Sequence, residues 1–318
     1  MGKQEQIRVF QDFLKKYGRS RMVIATHSRA DVDGITAAYA LSRVIPDSVI
    51  ATAEEPGDGA KMLSAKLGIT PADLGTLNKK DFDGLVVVDT SAYTLLPQAK
   101  GWKTICIIDH HRSEGRDMKG EFEILDPESP STAEILAHLL DKIDRDTAFA
   151  LAVAVIADGA RFKSARAETF AALAKLMEAC GAPYRELLSY AEPEPKEEAK
   201  IAMLSAMRRV EFIYAAGYII ATSEVGSNES DAASLIVEAA DVAFIANWKD
   251  KEQESRISAR ARSAVKVPLN TVMSEVGKSL GGVGGGHMKA AGASVKAHTK
   301  EALKKCVETF VTIAERGA

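Results

Sequence analysis

The residues able to do chemistry fall at the ends of short apolar runs. His27 follows MVIAT and opens THSRADVDGIT, so that His27, Asp31 and Asp33 share one turn. Asp89 ends LVVVD, and Asp109, His110 and His111 stand together at the end of TICII. Asp158 marks the switch from apolar to polar in AVIADGARF. Each piece alone has an ordinary reading: an aspartate after a strand caps a helix or forms a turn, and a histidine pair is polar surface. Together, two histidines and four carboxylates would make a dense negative cluster unless cations sat within it. Mixed imidazole and carboxylate ligands suit Mn²⁺ or a similar first-row ion. Two such ions close together activate a water and stabilise a departing phosphoryl oxygen.

Such residues converge only if the elements before them lie side by side. MVIAT (22–26), SVIATA (48–53), LVVVD (85–89) and TICIID (104–109) are short and β-branched, as strands covered on both faces are. Helical segments lie between them, at 34–43 and 59–66, which predicts a parallel sheet with crossover helices. The carboxyl ends of such strands open on one crevice. In SPSTAEIL, Ser131 is the expected N-cap and Glu134 its capping-box partner. Helices dominate from about 146 to 190. The predicted fold class is therefore α/β, with a parallel-sheet N-terminal domain and a smaller α/β C-terminal domain.

The domains are placed at 1–190 and 201–318, with the proline- and charge-rich AEPEPKEEAK (191–200) as linker. The second domain reads as strand-like 210–222, helical SDAASLIVEAA, strand-like VAFIANW and RISARARS, a glycine cluster, and a final helix over 300–315. In the cluster, Gly284, Gly285 and Gly286 precede His287 without the spacing of a P-loop. One reading is tight packing. The other is a loop whose backbone N–H groups approach an anion, with a following helix adding its dipole and Arg260 as partner.

Of 318 residues, 46% are hydrophobic and 27% charged, the balance of a globular chain. The formal net charge of −3 is not that of a protein embracing long nucleic acid, though a metal site supplies positive charge locally. Three unpatterned cysteines, Cys106, Cys180 and Cys306, argue for a reducing compartment, with Cys106 in the core. The N-terminal stretch reads as an amphipathic helix, and the longest apolar run, 148–157, is too short to span a bilayer. The cytoplasm is the expected location. His138, His298, Trp102 and Trp248 have no chemical company in the sequence and are read as structural.

The order HSRADVDG, VVDTS, IDHH, ADGARF resembles the four motifs of the DHH phosphoesterase superfamily, with ILDPESPSTAEIL as its connector. ISARAR followed by GGVGGGHMKAAG resembles the DHH-associated domain of the RecJ-type and nanoRNase–pAp phosphatase branch. The resemblance runs from about His27 to Gly292. It implies one metal ion on His27, Asp31 and Asp89 and a second on Asp33, Asp89, His110 and Asp158, Asp89 bridging, with Mn²⁺ the expected ion. It implies that His111 faces the leaving oxygen, that Asp109 orients its neighbours, and that Arg260 and the Gly284–His287 segment bind phosphate. Ala30 and Arg112 stand where proline is common in the family, and Gly159 where threonine is usual. A guanidinium at Arg112 could reach a second phosphate. The implied activity is hydrolysis of short oligonucleotides, dinucleotides or small nucleotides such as 3′-phosphoadenosine 5′-phosphate. The alternatives are a RecJ-like single-strand exonuclease, a polyphosphate or pyrophosphate hydrolase, and a non-catalytic nucleotide- or nucleic-acid-binding partner. The expected partners are a short nucleic acid or nucleotide and no membrane; a homodimer is compatible with this reading.

Overall fold

The computed structural model describes residues 2–111, 115–159, 162 and 164–316. The chain divides into two compact units, 1–194 and 195–318. In chain order the first holds α1 (Lys3–Tyr17), β1 (Met22–Ala25), α2 (Val32–Ser42), β2 (Ser48–Thr52), α3 (Asp58–Leu67), β3 (Ala72–Asp73), β4 (Gly84–Val88), β5 (Thr104–Asp109) and β6 (Phe122–Leu125). Four helices follow: α4 (Thr132–Leu139), α5 (Arg145–Asp158), α6 (Ala167–Cys180) and α7 (Tyr184–Ala191).

The six strands are parallel in the order β3-β2-β1-β4-β5-β6. β1 is central, pairing Met22 with Ser48 on one side and with Gly84 on the other. The strand order reverses direction there, which opens a crevice at the carboxyl ends of β1 and β4. Alternation along the strands divides the core. Met22, Ile24, Val86 and Val88 pack with the helices, whereas Val23, Ala25, Leu85 and Val87 pack under turns with Leu96, Ala99 and Trp102. Both faces are covered, but only one by helices. Cys106 is buried, as are Cys180 and Cys306, and all three are free.

The second unit holds α8 (Glu197–Arg209), β7 (Glu211–Ala215), β8 (Tyr218–Glu224), α9 (Glu229–Ile236), β9 (Val242–Lys249), β10 (Glu254–Ala261), α10 (Leu269–Ser279), β11 (Val283–Gly286), β12 (Ala290–Val295) and α11 (Thr299–Arg316). Its sheet runs β11-β12-β10-β9-β8-β7 and is mixed, since β8 and β9 are parallel and the other pairs antiparallel.

Several expectations are corrected. The strand-like run 210–222 is a hairpin, turned at Ala216 (φ 49°) and Gly217 (φ 80°). Of the stretch 191–200, only 192–196 lies outside helix. The glycine cluster is no loop: Val283–Gly286 is an edge strand, and a strand rather than a helix follows it. Ser131 caps α4, its Oγ accepting from Glu134 N at 3.1 Å, but the reciprocal half of the capping box is not made. The Glu134 carboxylate accepts from Arg166 at 2.9 Å instead, a charged partner outcompeting a backbone amide.

Candidate metal centre

β1 ends at Ala25 and β4 at Val88, so His27 and Asp89 reach the crevice from neighbouring strands. Asp31 is the N-cap of α2, its Oδ1 accepting from Gly34 N at 3.0 Å, and Asp33 stands in that helix's first turn. Asp109 closes β5 and His110 and His111 follow it. Asp158 arrives differently, as the last residue of α5 rather than beyond a strand. A carboxylate there faces the negative end of the helix dipole, which a cation would relieve.

Asp89 is the hub. It is 1% exposed, and its two oxygens face different histidines: Oδ2 lies 3.5 Å from His27 Nε2 and Oδ1 3.4 Å from His110 Nε2. His27 Nε2 is also 3.6 Å from Asp31 Oδ1, and His110 Nε2 3.2 Å from Asp158 Oδ2. Among the described residues, three sets of side chains place ligand atoms within 4.8 Å of one another: His27, Asp31, Asp89; Asp33, His110, Asp158; and Asp89, His110, His111. The third set offers His111 a place as ligand. Its Nδ1 is 3.8 Å from Asp89 Oδ1 but only 2.8 Å from Asp109 Oδ1.

Around these stand residues that hold them, and sequence reasoning missed most of them. Asp33 accepts two amides of the α4 N-terminus, Thr132 N at 2.7 Å and Ala133 N at 2.9 Å. The Thr132 hydroxyl donates to Asp89 Oδ1 at 3.1 Å. Ser129 O lies 3.2 Å from His110 Nδ1, which fixes the ring with Nε2 toward the carboxylates. Asp109 takes Ser91 Oγ at 2.6 Å on one oxygen and the His111 amide and ring on the other. Gly34 makes room: a Cβ there would lie 2.2 Å from Thr26 Oγ1 and 3.3 Å from Asp89 Oδ2. The signal for Thr132 was the helix start that Ser131 marks. The partners Ser91 and Ser129 carried no signal beyond their polarity.

The electrostatics are those of a site built for positive charge. Burial alone would lower His27 and His110, but hydrogen bonds and attraction from the surrounding aspartates lift each to about 10. Burial and the carboxylates of Asp89 and Asp158 push Asp33 well up, and burial with Asp89 nearby takes Asp158 to about 6. Asp89 runs the other way: burial would raise it, yet its two imidazole partners hold it below the ordinary carboxylate range. Without cations, protons on two imidazoles supply the counter-charge. This donor set fits divalent ions, which would replace those protons.

In the second unit, the Arg260 guanidinium donates to Ser230 Oγ at 2.7 Å, Ala259 O at 3.0 Å and Ser258 Oγ at 3.3 Å. Register brings the glycines near it, with Arg260 opposite Ala290 and Gly286 opposite Ala291. His287 is exposed and its amide donates to Ala290 O at 2.8 Å. Two glycines have a packing reason. A Cβ on Gly284 would lie 1.9 Å from Met273 O, and Gly286 has φ 133° with Ala291 Cα 2.7 Å from its missing Cβ. Gly285 alone faces open space. Arg112 lies outside the described residues. His298 is not alone, since it stacks on Trp248 at 4.0 Å. Among the described residues no helix is long and apolar enough to cross a membrane.

Comparison with known proteins now assigns the chain. Residues 21–157 match the model described as the DHH family, N-terminal domain, and residues 216–313 that of the DHHA1 domain. The chain belongs to the DHH family of phosphoesterases. An uncharacterized protein of Methanocaldococcus jannaschii is 31% identical over 224 residues, covering 66% of this chain and 68% of that one. An exopolyphosphatase-related protein from Bacteroides fragilis superposes with TM-score 0.80 at 17% identity, over 98% of this chain and 97% of that one. An exonuclease RecJ bound to manganese superposes with TM-score 0.51 at 14% identity, over 100% and 97%. The two structural matches show the shared fold.

Proposed function

We propose that the protein is a two-metal phosphoesterase acting on short oligonucleotides, dinucleotides or small nucleotides such as 3′-phosphoadenosine 5′-phosphate. The observation that carries the two-metal reading is Asp89, buried, with one oxygen toward His27 and the other toward His110. His27, Asp31 and Asp89 would hold one ion, and Asp33, Asp89, His110 and Asp158 the second. When bound, the ions would supply a nucleophilic water at neutral pH and positive charge against the phosphoryl oxygens. Mn²⁺ is the ion that the mixed donor set suits.

His111 is the proton donor in this reading. Its side chain is 49% exposed, and Asp109 holds its Nδ1, which leaves Nε2 free toward a leaving oxygen. The hydrogen bond to Asp109 raises its pKa despite burial, which favours the protonated ring that a donor needs. In the second unit, Arg260 with His287 and the one open glycine, Gly285, would grip a substrate phosphate. Ser258 and Ser230 hold the Arg260 guanidinium in place.

A panel assay tests the reading: Mn²⁺-loaded protein with dinucleotides, short and long DNA and RNA strands, 3′-phosphoadenosine 5′-phosphate, pyrophosphate and polyphosphate. Fastest turnover on the short nucleotides, abolished by chelator, is the expected result. Polyphosphate belongs in the panel because one structural relative is exopolyphosphatase-related, and long single strands because another is an exonuclease. Turnover indifferent to chelator would overturn the metal reading, and polyphosphate cleaved best would overturn the substrate.

A further inference from the structure

The sheet of the second unit ends on β7, whose residues 211–214 are all exposed. Glu211 is its only charge, and Phe212, Ile213 and Tyr214 follow with no lysine, proline or register shift. Those are the devices that normally keep an edge strand from pairing. In a two-residue hairpin the residues flanking the turn form a hydrogen-bonded pair, here Ala215 and Tyr218. Alternation then turns the N–H and C=O of Phe212 and Tyr214 away from β8.

The apolar surface continues onto one face. Phe212 lines a groove of about 630 Å³ with Met207, Val210, Ile219 and Leu235. Helix α8 buries Ala199, Ala202 and Ala206 but exposes Ile201, Leu204 and Met207. Phe212 is 72% exposed and Tyr214 74%. Taking about 150–250 Å² for a large side chain, Ile201, Leu204, Met207, Val210, Phe212 and Tyr214 together expose on the order of 700 Å². The largest apolar patch of a typical monomer is about 300–600 Å², and each side of a standard interface buries about 800 Å². Summed, these side chains approach the area that one side of a standard interface buries.

We propose that β7 pairs antiparallel with β7 of a second copy of this chain about a two-fold axis, joining the two sheets into one. The strand is its own complement in one register. Centred on Ile213, it sets Phe212 opposite Tyr214 of the second copy, twice over. Those are the residues with outward N–H and C=O, and they make a favourable aromatic cross-strand pair. Glu211 falls opposite Ala215, so no like charges meet. The apolar stripes of the two α8 helices would flank the axis. A partner of different sequence would have no reason to match both the register and the aromatic pairing.

Sedimentation of the full chain over a range of concentrations should show a dimer. Phe212→Lys with Tyr214→Lys should sediment as a monomer while keeping the circular dichroism and melting temperature of the parent, since both side chains are exposed. Amide exchange on the unmodified chain is the second measurement, with the Phe212 and Tyr214 amides protected only at concentrations where the dimer forms. A chain monomeric throughout overturns the inference, including one whose Phe212 is protected as a monomer, because another part of the chain would then cover the groove. A dimer that survives the double substitution, or one with both amides unprotected, overturns it equally.

Discussion

Asp89 has φ 60°, in the left-handed region where a non-glycine residue costs about 1–3 kcal/mol. Asparagine tolerates that region nearly as well, which separates charge from conformation. Asp89→Asn should therefore stay folded yet lose bound metal from both positions, as read by elemental analysis and circular dichroism. Asp89→Ala should lose the metal and also melt lower. The histidines predict a pH dependence. In the metal-free protein His27 and His110 are lifted from 6.5 to about 10, so the stability they contribute is fully present below about 6.5 and lost as pH rises through about 10. Metal must displace those protons. Affinity should rise with pH across the neutral range, and calorimetry in buffers of different ionisation enthalpy should show net proton release on binding. Affinity flat between pH 6 and 9 would contradict this. For His111→Ala, turnover should fall about 10²–10⁴-fold, the usual worth of a positioned acid. Metal content should stay at the parent level; loss of an ion would make His111 a ligand.

At the scale of elements, the N-terminus of α4 positions two of the candidate ligands. Its amides hold Asp33 and its Thr132 hydroxyl holds Asp89. Thr132→Val keeps the shape and removes the donor, so metal affinity measured by competition with a chelating dye should weaken while the fold survives. Gly34→Ala should cost about 1–3 kcal/mol in thermal unfolding, because its Cβ would overlap Thr26 in a packed interior. How much of this was legible in the sequence follows from element length and composition. Four β-branched runs gave β1, β2, β4 and β5, and with them the ends that carry His27, Asp89 and His110. β3 is two residues long, too short for a pattern to show, and β6 (FEIL) carries an acidic residue where β1, of the same length, is wholly apolar. β11 is built of residues with poor strand propensity and exists because the α10 backbone and β12 press against it. Asp158 was legible as a residue within a helical stretch, since the run before it reads as helix or turn and α5 ends on it. Thr132 was hidden behind its neighbour's role as a cap.

At the scale of the molecule, the candidate metal ligands all lie in 1–194, whereas Arg260 and the glycine strand lie in 195–318. If Arg260 grips a substrate phosphate, short substrates should gain most from that contact. Dinucleotides to pentanucleotides should then be cut with higher kcat/KM than long strands, which a net charge of −3 does little to attract. Arg260→Ala should raise KM on the short substrates with little change in kcat, as loss of binding common to ground and transition states does. Equal efficiency on short and long strands, with Arg260→Ala harmless, would remove the binding role of Arg260.

The last turn of α5 is tied to the sheet through Asp158, the final residue of that helix and a neighbour of His110. A cation held there would act as a clasp between the end of a helix and the ends of β1, β4 and β5. By mass action, an ion at a hundred times its dissociation constant stabilises the closed form by about 2.7 kcal/mol. Removing it should loosen the clasp locally before the sheet feels the loss. Amide protons of residues 154–158 should then exchange faster in chelator, while those of β1 keep their protection.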